Sequence, residues 1–162
     1  MSDALPIVRK ASPADVDAIF SLVELYTANG IVLRRSKEDI LQHIGNFYIA
    51  SLQNEPCACC AVRDFGNELL EVRSLVVDPA FQGRGIGKVM LKKIIADLLA
   101  QRENWRLFTL TLQVEFFRKL GFKEVNKELF PEKIWSDCSK CPKFNCCDET
   151  ALLLTSSDIR NS

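Results

Sequence analysis

The sequence predicts a mixed α/β domain in which helices cover a largely antiparallel sheet. Three strand-like segments follow one another over residues 47–78 and are joined by short polar turns, a pattern typical of an antiparallel meander. Apolar residues at helical spacing precede and follow this block. The chain has 162 residues, of which 48% are hydrophobic and 26% charged, and this suits one soluble domain with its own core.

Composition excludes several classes of protein. Basic and acidic residues each total 21, and this balance argues against a nucleic-acid binder with a broad basic face. No apolar run approaches the ~20 residues that span a bilayer, and residues 1–10 lack the features of a signal peptide. We therefore expect a cytoplasmic protein with no nucleic-acid or membrane partner. Its seven cysteines are expected to be reduced thiols or metal ligands.

The elements follow in order from local signals. Residues 5–9 predict a strand, Ser12 and Pro13 start a helix that ends at residues 29–30, and Ser36 starts a shorter one. Strands are predicted over 47–52, 57–63 and 68–78, and a helix over 85–101. A strand over 107–112, a helix over 113–120 and strands over 122–125 and 151–155 complete the single domain. Residues 127–149 are expected to form a Cys-rich lobe of that domain.

The strongest functional signal is the glycine-rich turn between the third meander strand and the long helix, with the sequence QGRGIG over residues 82–87. Glycines allow close backbone approach, and the first amides of a helix lack partners, so such a turn favours phosphate binding. A P-loop needs Ser or Thr after its lysine, whereas Lys88 is followed by Val89. A dinucleotide-binding fold needs GxGxxG and parallel strands, whereas this turn has the spacing GxGxG and follows strands predicted to be antiparallel. The alternative is a turn that merely joins strand to helix.

Residues 82–87 match the signature of the GNAT superfamily of acyl-CoA N-acyltransferases, which is Gln or Arg, two residues, Gly, one residue, then Gly or Ala. A second hallmark, an aromatic pair followed by Gly-Phe, is similar to residues 116–122. The resemblance covers most of residues 5–126. It implies the GNAT fold, with a mixed, mostly antiparallel sheet and splayed central strands, and acetyl-CoA as the co-substrate.

The resemblance assigns coenzyme binding to two segments. Amides of the glycine turn would hold the pyrophosphate, and the last residues of the central strand would pair with the pantetheine arm, while the strand over 107–112 splays away. These coenzyme-binding residues are Leu75, Val76, Val77, Gln82, Gly83, Arg84, Gly85, Ile86, Gly87 and Lys88.

Residues 30–36 and 129–135 are similar to the short form of the N-acetylglutamate synthases, with Phe130-Pro131 where that family usually has Leu-Pro. This resemblance implies transfer of the acetyl group of acetyl-CoA to the α-amine of L-glutamate, the first step of arginine biosynthesis. The family's substrate-contacting arginine corresponds to Arg35, and arginine suits a carboxylate because it can donate two hydrogen bonds. Lys133 is the candidate for the second carboxylate, and Ser74 would line the acceptor site. The alternative for Arg35 is a solvated side chain beside a helix start.

Two residues are candidates for proton transfer. Glu71 lies four residues before Leu75, so strand alternation would place Glu71, Arg73 and Leu75 on one face, and Glu71 would act as the base. The alternative is a solvated edge carboxylate. Many GNAT enzymes have a tyrosine acid where this chain has Phe117, so Thr111 is the nearest hydroxyl candidate.

Four cysteines form a C-terminal cluster: Cys138, Cys141, Cys146 and Cys147. A CxxC pair suits half of a zinc site, but adjacent cysteines make a poor second half. Free buried thiols and a redox pair are the alternatives, and we assign no metal site. His43 is expected on a helix surface, and at least one of Cys59 and Cys60 in the core.

The acceptor and the activity each leave alternatives. Another amine, such as a different amino acid, a polyamine or a protein N-terminus, would keep the same coenzyme. A non-catalytic acyl-CoA-binding regulatory module would keep only the binding site. GNAT domains commonly pair, so a homodimer is a further expectation.

Overall fold

The computed structural model describes residues 5–27, 35–126 and 149–161. In chain order its elements are β1 (Ile7–Lys10), α1 (Val16–Thr27), α2 (Lys37–Gln42), β2 (Phe47–Leu52), β3 (Glu55–Gly66), β4 (Leu69–Val77), α3 (Ile86–Gln101), β5 (Arg106–Thr111), α4 (Val114–Lys119), β6 (Lys123–Val125), β7 (Thr150–Thr155) and α5 (Ser156–Arg160). This order confirms the predicted one and adds α5. No helix of the described part of the chain is long and apolar enough to cross a membrane.

The strands form a seven-stranded sheet in the order β1-β2-β3-β4-β5-β7-β6. The pairs β1–β2, β2–β3, β5–β7 and β6–β7 are antiparallel, and β4–β5 is parallel. The parallel pair follows from the connection, because α3 carries the chain back between the two strands. The sheet is therefore mixed and mostly antiparallel, as the sequence predicted.

The chain divides into two compact units. The first contains Met1–Val62 and Arg73–Gln101, and the second contains Arg63–Val72 and Arg102–Ser162.

The core of the first unit forms where α1 and α2 pack on apolar strand residues. The predicted apolar face of α1 is confirmed, since Ile19 and Val23 are buried and Val16 and Phe20 pack beside them. The buried members of this core cluster are Ile19, Leu22, Val23, Ile40, Phe47, Ile49, Cys59, Ala61 and Val76.

The start of α1 is held by a network around Asp15. A short 3-10 turn over Pro13–Asp15 leads into the helix, as the Ser12-Pro13 signal predicted. The Asp15 carboxylate accepts the backbone N–H of Ser12 at 2.8 Å and pairs with both terminal nitrogens of Arg9 at 2.8 and 2.9 Å. The Arg9 hydrogen bonds lower the pKa of Asp15 to about 2.

Two tight turns build the strand pairs around β3. Gln53 and Asn54 join β2 to β3 with φ values of 52° and 67°, and Asn67 and Glu68 join β3 to β4 with 53° and 68°. Positive φ at both central residues is typical of type I′ turns, which match the twist of paired strands. The predicted end of this strand at residue 63 is wrong: β3 continues to Gly66 because the turn itself needs only the next two residues.

The second unit has its core around Trp105 and Phe108, which are 1% and 0% exposed. Its helix α5, which the prediction missed, begins with a capping box: Thr155 Oγ1 accepts from Asp158 N, and Asp158 Oδ2 accepts from Thr155 N, both at 3.1 Å. Ser156 exchanges two hydrogen bonds with the backbone of Trp105 and so ties α5 to β5.

We expect Asp15→Asn to destabilise the protein by about 1 kcal/mol at neutral pH, because it removes the charge that Arg9 and the helix start share. The folded-state pKa lies below the unfolded value of about 4, so this stabilisation is complete above pH 4 and is lost as the pH falls towards 2. Urea unfolding of both proteins between pH 2 and 7 measures the difference. Asp17→Asn is the control, since Asp17 is 85% exposed. A constant difference across this range would contradict the assignment.

We expect Asn54→Gly to stabilise the protein by about 0.5–1 kcal/mol, because glycine adopts the left-handed conformation of this turn without steric cost. Thermal unfolding should show a higher Tm. Glu55→Gly, at the adjacent exposed strand position, should lower it. Equal shifts for the two variants would count against the turn assignment.

Candidate coenzyme and acceptor site

The glycine turn lies between the end of β4 and the start of α3. Pro79–Phe81 forms a 3-10 turn, capped by Asp78 Oδ1, which accepts from Ala80 N at 2.9 Å. Gly83 and Gly85 follow with φ values of 81° and 72°, which only glycine adopts readily. A Cβ at either glycine would meet no described atom within 4 Å, so the turn presents an exposed, open backbone.

The helix after this turn provides unpaired backbone amides at its start and is held in place by its buried face. Its first internal bond runs from Val89 N to Gly85 O at 3.1 Å, so the amides of residues 86–88 belong to the helix's unpaired first turn. The opposite face buries Ile86, Met90 and Ile94. This exposed turn before a 16-residue helix fits a diphosphate.

The last residues of β4 depart from regular strand geometry. Ser74 has a φ of 54°, in the left-handed region, and its carbonyl accepts a weak bond from Cys59 Sγ at 3.8 Å. The extended backbone is therefore interrupted between Arg73 and Leu75. The expectation that strict alternation places Glu71, Arg73 and Leu75 on one face assumed a regular strand, and the φ of Ser74 departs from that assumption.

The peptide group that joins Val77 to Asp78 is bonded at both ends. Asp78 N donates to Cys57 O of β3 at 2.8 Å, and Val77 O accepts the hydroxyl of Tyr26 at 2.5 Å. Gln82 Nε2 donates to the same hydroxyl at 2.6 Å. The structure thus brings together the coenzyme candidates Val77 and Gln82 through Tyr26, which the sequence analysis did not single out. Its only signal was its place three residues after Val23 on the apolar face of α1.

The acceptor candidate Arg35 lies just before α2 and is 14% exposed. Its Nε donates to Asp39 Oδ2 at 2.6 Å, and its guanidinium lies 5.0 Å from the centre of the Phe47 ring. The Arg35 hydrogen bond lowers the pKa of Asp39. Ser36 caps α2 through Asp39 N, as predicted. Arg35 is therefore held by Asp39 and Phe47 and is not a fully solvated side chain.

The proton-transfer candidates belong to the second unit. Glu71 is 3% exposed and forms the last pair of the three-pair β4–β5 ladder, opposite Phe108. It is therefore not a solvated edge carboxylate. Thr111 ends β5, and its Oγ1 accepts from Gln113 N at 2.9 Å, so its own proton can still be donated. Phe117 is buried, with its ring 5.2 Å from that of Phe122.

The cysteines of β3 are buried structural thiols. Cys57, Cys59 and Cys60 are each 0% exposed. Burial raises the pKa of all three, that of Cys59 to about 12. No three metal-binding side chains are grouped within residues 5–27, 35–126 and 149–161. Lys133 and the C-terminal cysteine cluster lie outside these residues.

His43 occupies the expected helix-surface position. Its side chain is 44% exposed, and its Nδ1 lies 3.1 Å from Asp39 Oδ1.

Comparison with known proteins identifies the family. The acetyltransferase (GNAT) domain family matches residues 43–124. An uncharacterized N-acetyltransferase of Chlorobaculum tepidum is 43% identical over 91% of this chain and 95% of its own. An amino-acid acetyltransferase of Mycobacterium tuberculosis is 34% identical over 76% of this chain and 71% of its own.

A solved structure extends this likeness to the coenzyme. The N-acetylglutamate synthase of Neisseria gonorrhoeae, in complex with coenzyme A and N-acetyl-glutamate, aligns with a TM-score of 0.81 and 27% identity. The alignment covers 95% of this chain and 36% of the synthase, so the chain spans about a third of that protein. This chain therefore belongs to the GNAT family and is an acetyl-CoA-dependent N-acetyltransferase.

Proposed function

We propose that this protein transfers the acetyl group of acetyl-CoA to the α-amine of L-glutamate, and that the product serves arginine biosynthesis. The observation that carries the proposal is the likeness, over 95% of the chain, to a synthase bound to coenzyme A and N-acetyl-glutamate. The amino-acid acetyltransferase of Mycobacterium tuberculosis supports the wider class of acceptor.

Arg35 is the proposed anchor for a glutamate carboxylate. Asp39 engages its Nε, and the ring of Phe47 lies against its guanidinium. Both contacts restrict the guanidinium plane, while the pair of terminal nitrogens forms a separate edge outside the Asp39 bond. That edge matches the two oxygens of a carboxylate. Because the side chain is already held, little rotamer freedom is lost on binding. Lys133 is proposed for the second carboxylate, and the backbone at Ser74 for the acceptor amine side.

Coenzyme binding is proposed for the end of β4 and for residues 82–88. The backbone of Leu75, Val76 and Val77 would pair with the pantetheine arm, as an added strand pairs with a sheet edge. The β4–β5 ladder ends at the Glu71–Phe108 pair, so Leu75, Val76 and Val77 lie outside it. The glycine turn would receive the diphosphate on exposed amides.

Acetyl-CoA, when bound, supplies the acetyl group as a thioester. The amine nitrogen of glutamate forms the new C–N bond as the C–S bond breaks, and an amide of Leu75 or Val76 would stabilise the negative charge on the carbonyl oxygen. Glu71, directly or through one water, would take the proton that the amine must lose. The sulfur leaves as a thiolate, or takes a proton that the Thr111 hydroxyl passes on from solvent, and Glu71 returns its proton to solvent, which balances the reaction.

An acceptor panel tests the proposal directly. Release of the coenzyme A thiol should be fastest with L-glutamate among amino acids, polyamines and peptide N-termini. Arg35→Ala should raise the KM for glutamate about 10- to 100-fold, the loss expected for two charge-assisted hydrogen bonds, and leave acetyl-CoA binding unchanged.

Arg102→Ala is the matched control. It also removes an arginine–aspartate ion pair, since Arg102 lies 2.9 Å from Asp64, and both residues belong to the second unit. Its glutamate KM should equal that of the wild type. An unchanged glutamate KM in Arg35→Ala would show that Arg35 does not bind the acceptor. A faster rate with a different amine would show that glutamate is not the preferred acceptor.

Glu71→Gln tests the base. We expect kcat to fall at least about 100-fold, the usual contribution of general-base catalysis, while the Kd for coenzyme A measured by calorimetry stays the same. Glu68→Gln changes an exposed carboxylate in the turn just before β4 and should leave kcat intact. A Glu71→Gln enzyme with near-normal kcat would assign the proton transfer to another group.

A further inference from the structure

We propose that Tyr26 is a positioning residue for coenzyme binding: its hydroxyl fixes the glycine turn to the end of β4 through Gln82 and Val77. The inference rests on the proposed assignment of coenzyme binding to Val77 and residues 82–88. It does not depend on which amine is acetylated.

The Tyr26 hydroxyl makes two bonds that its chemistry can satisfy together. It donates to Val77 O at 2.5 Å and accepts from Gln82 Nε2 at 2.6 Å. A phenol has one proton and free lone pairs, so each bond uses a different capacity. The ring packs against the core cluster of the first unit, which fixes the position of the hydroxyl.

The orientation of the Val77–Asp78 peptide group places this hydroxyl on one edge of β4. The N–H and C=O of a trans peptide group point in opposite directions. Asp78 N–H points to Cys57 O of β3, so Val77 C=O points away from β3. Tyr26 therefore meets β4 on the edge opposite β3, where it engages the Val77 carbonyl and not the Val77 N–H, so pairing of an added chain with Val77 would use that N–H.

The glycine turn is otherwise held by few side chains. Gly83 and Gly85 contribute none, and Asp78 caps only the turn over Pro79–Phe81. The Gln82 carboxamide is thus a direct tie from the turn to the rest of the unit, and Tyr26 is its partner. Loss of the hydroxyl would leave the turn amides less fixed relative to Val77. The coenzyme would then have to order the turn on binding, which weakens affinity.

Tyr26→Phe tests this role, with Tyr48→Phe as the matched control. The chain has two tyrosines, and the Tyr48 hydroxyl also donates a partly buried hydrogen bond, to Asp97 Oδ2 at 2.9 Å. We expect Tyr26→Phe to raise the calorimetric Kd for coenzyme A about five- to tenfold, the effect of one or two hydrogen bonds, with kcat and the acceptor KM nearly unchanged. Tyr48→Phe should lower Tm without altering that Kd. Equal Kd values for Tyr26→Phe and wild type would overturn the inference.

Gln82→Met provides a second test from an exposed position, where folding is not at risk. It should weaken coenzyme A binding to a similar extent. The double variant should be no weaker than the worse single one, because both changes break the same link. Fully additive effects would show that the two residues act independently and would contradict the proposal.

Two results separate this inference from the proposed function. Gly85→Ala strains the turn and should weaken coenzyme A binding if residues 82–88 form the site. An unchanged Kd in that variant would overturn the site assignment and this inference with it. If coenzyme A binding responds to Tyr26→Phe but glutamate is not acetylated, the acceptor proposal fails and the positioning role of Tyr26 stands.

Discussion

The position of the end of β4 is fixed by one peptide group, which joins Val77 to Asp78. Its N–H is bonded to β3 and its C=O to the hydroxyl of Tyr26, so it is fixed in two opposite directions. The chain then turns and enters α3, whose buried face anchors sixteen residues of helix. Exposed amides at such a junction are useful for anion binding only when the backbone around them is held, because their ordering then costs little upon binding.

Much of the fold could be predicted because local signals and packing agree. The meander strands, the long helix and the order of elements follow from periodicity and turn residues, and β2 and the last residue of α3 have the predicted bounds. The glycine turn was predictable in detail, since its signature residues need specific backbone angles. Arg35 was predicted from its position in a motif, without its partner. The contact with Asp39 could also have been predicted, because helical geometry brings residues four apart together.

The features that were missed depend on contacts distant in sequence or on backbone angles that the residue type does not reveal. Gln82 lies 56 residues from Tyr26, and no local pattern connects them. Ser74 adopts a left-handed conformation at a cost of about 1–2 kcal/mol, and a serine in the sequence does not predict this conformation. The short helix α5 could have been predicted from the sequence, because Thr155 and Asp158 have the spacing of a capping box.

The burial of Cys57, Cys59 and Cys60 has a practical consequence for chemical labelling. Alkylation and disulfide exchange require a thiolate, and burial keeps these three sulfurs protonated at neutral pH and shielded from reagents. A maleimide that reacts with the native protein must therefore have modified one of the other four cysteines of the chain. Mass spectrometry of the labelled protein would then report on the C-terminal cluster alone, without any need to mutate the strand that supports the core.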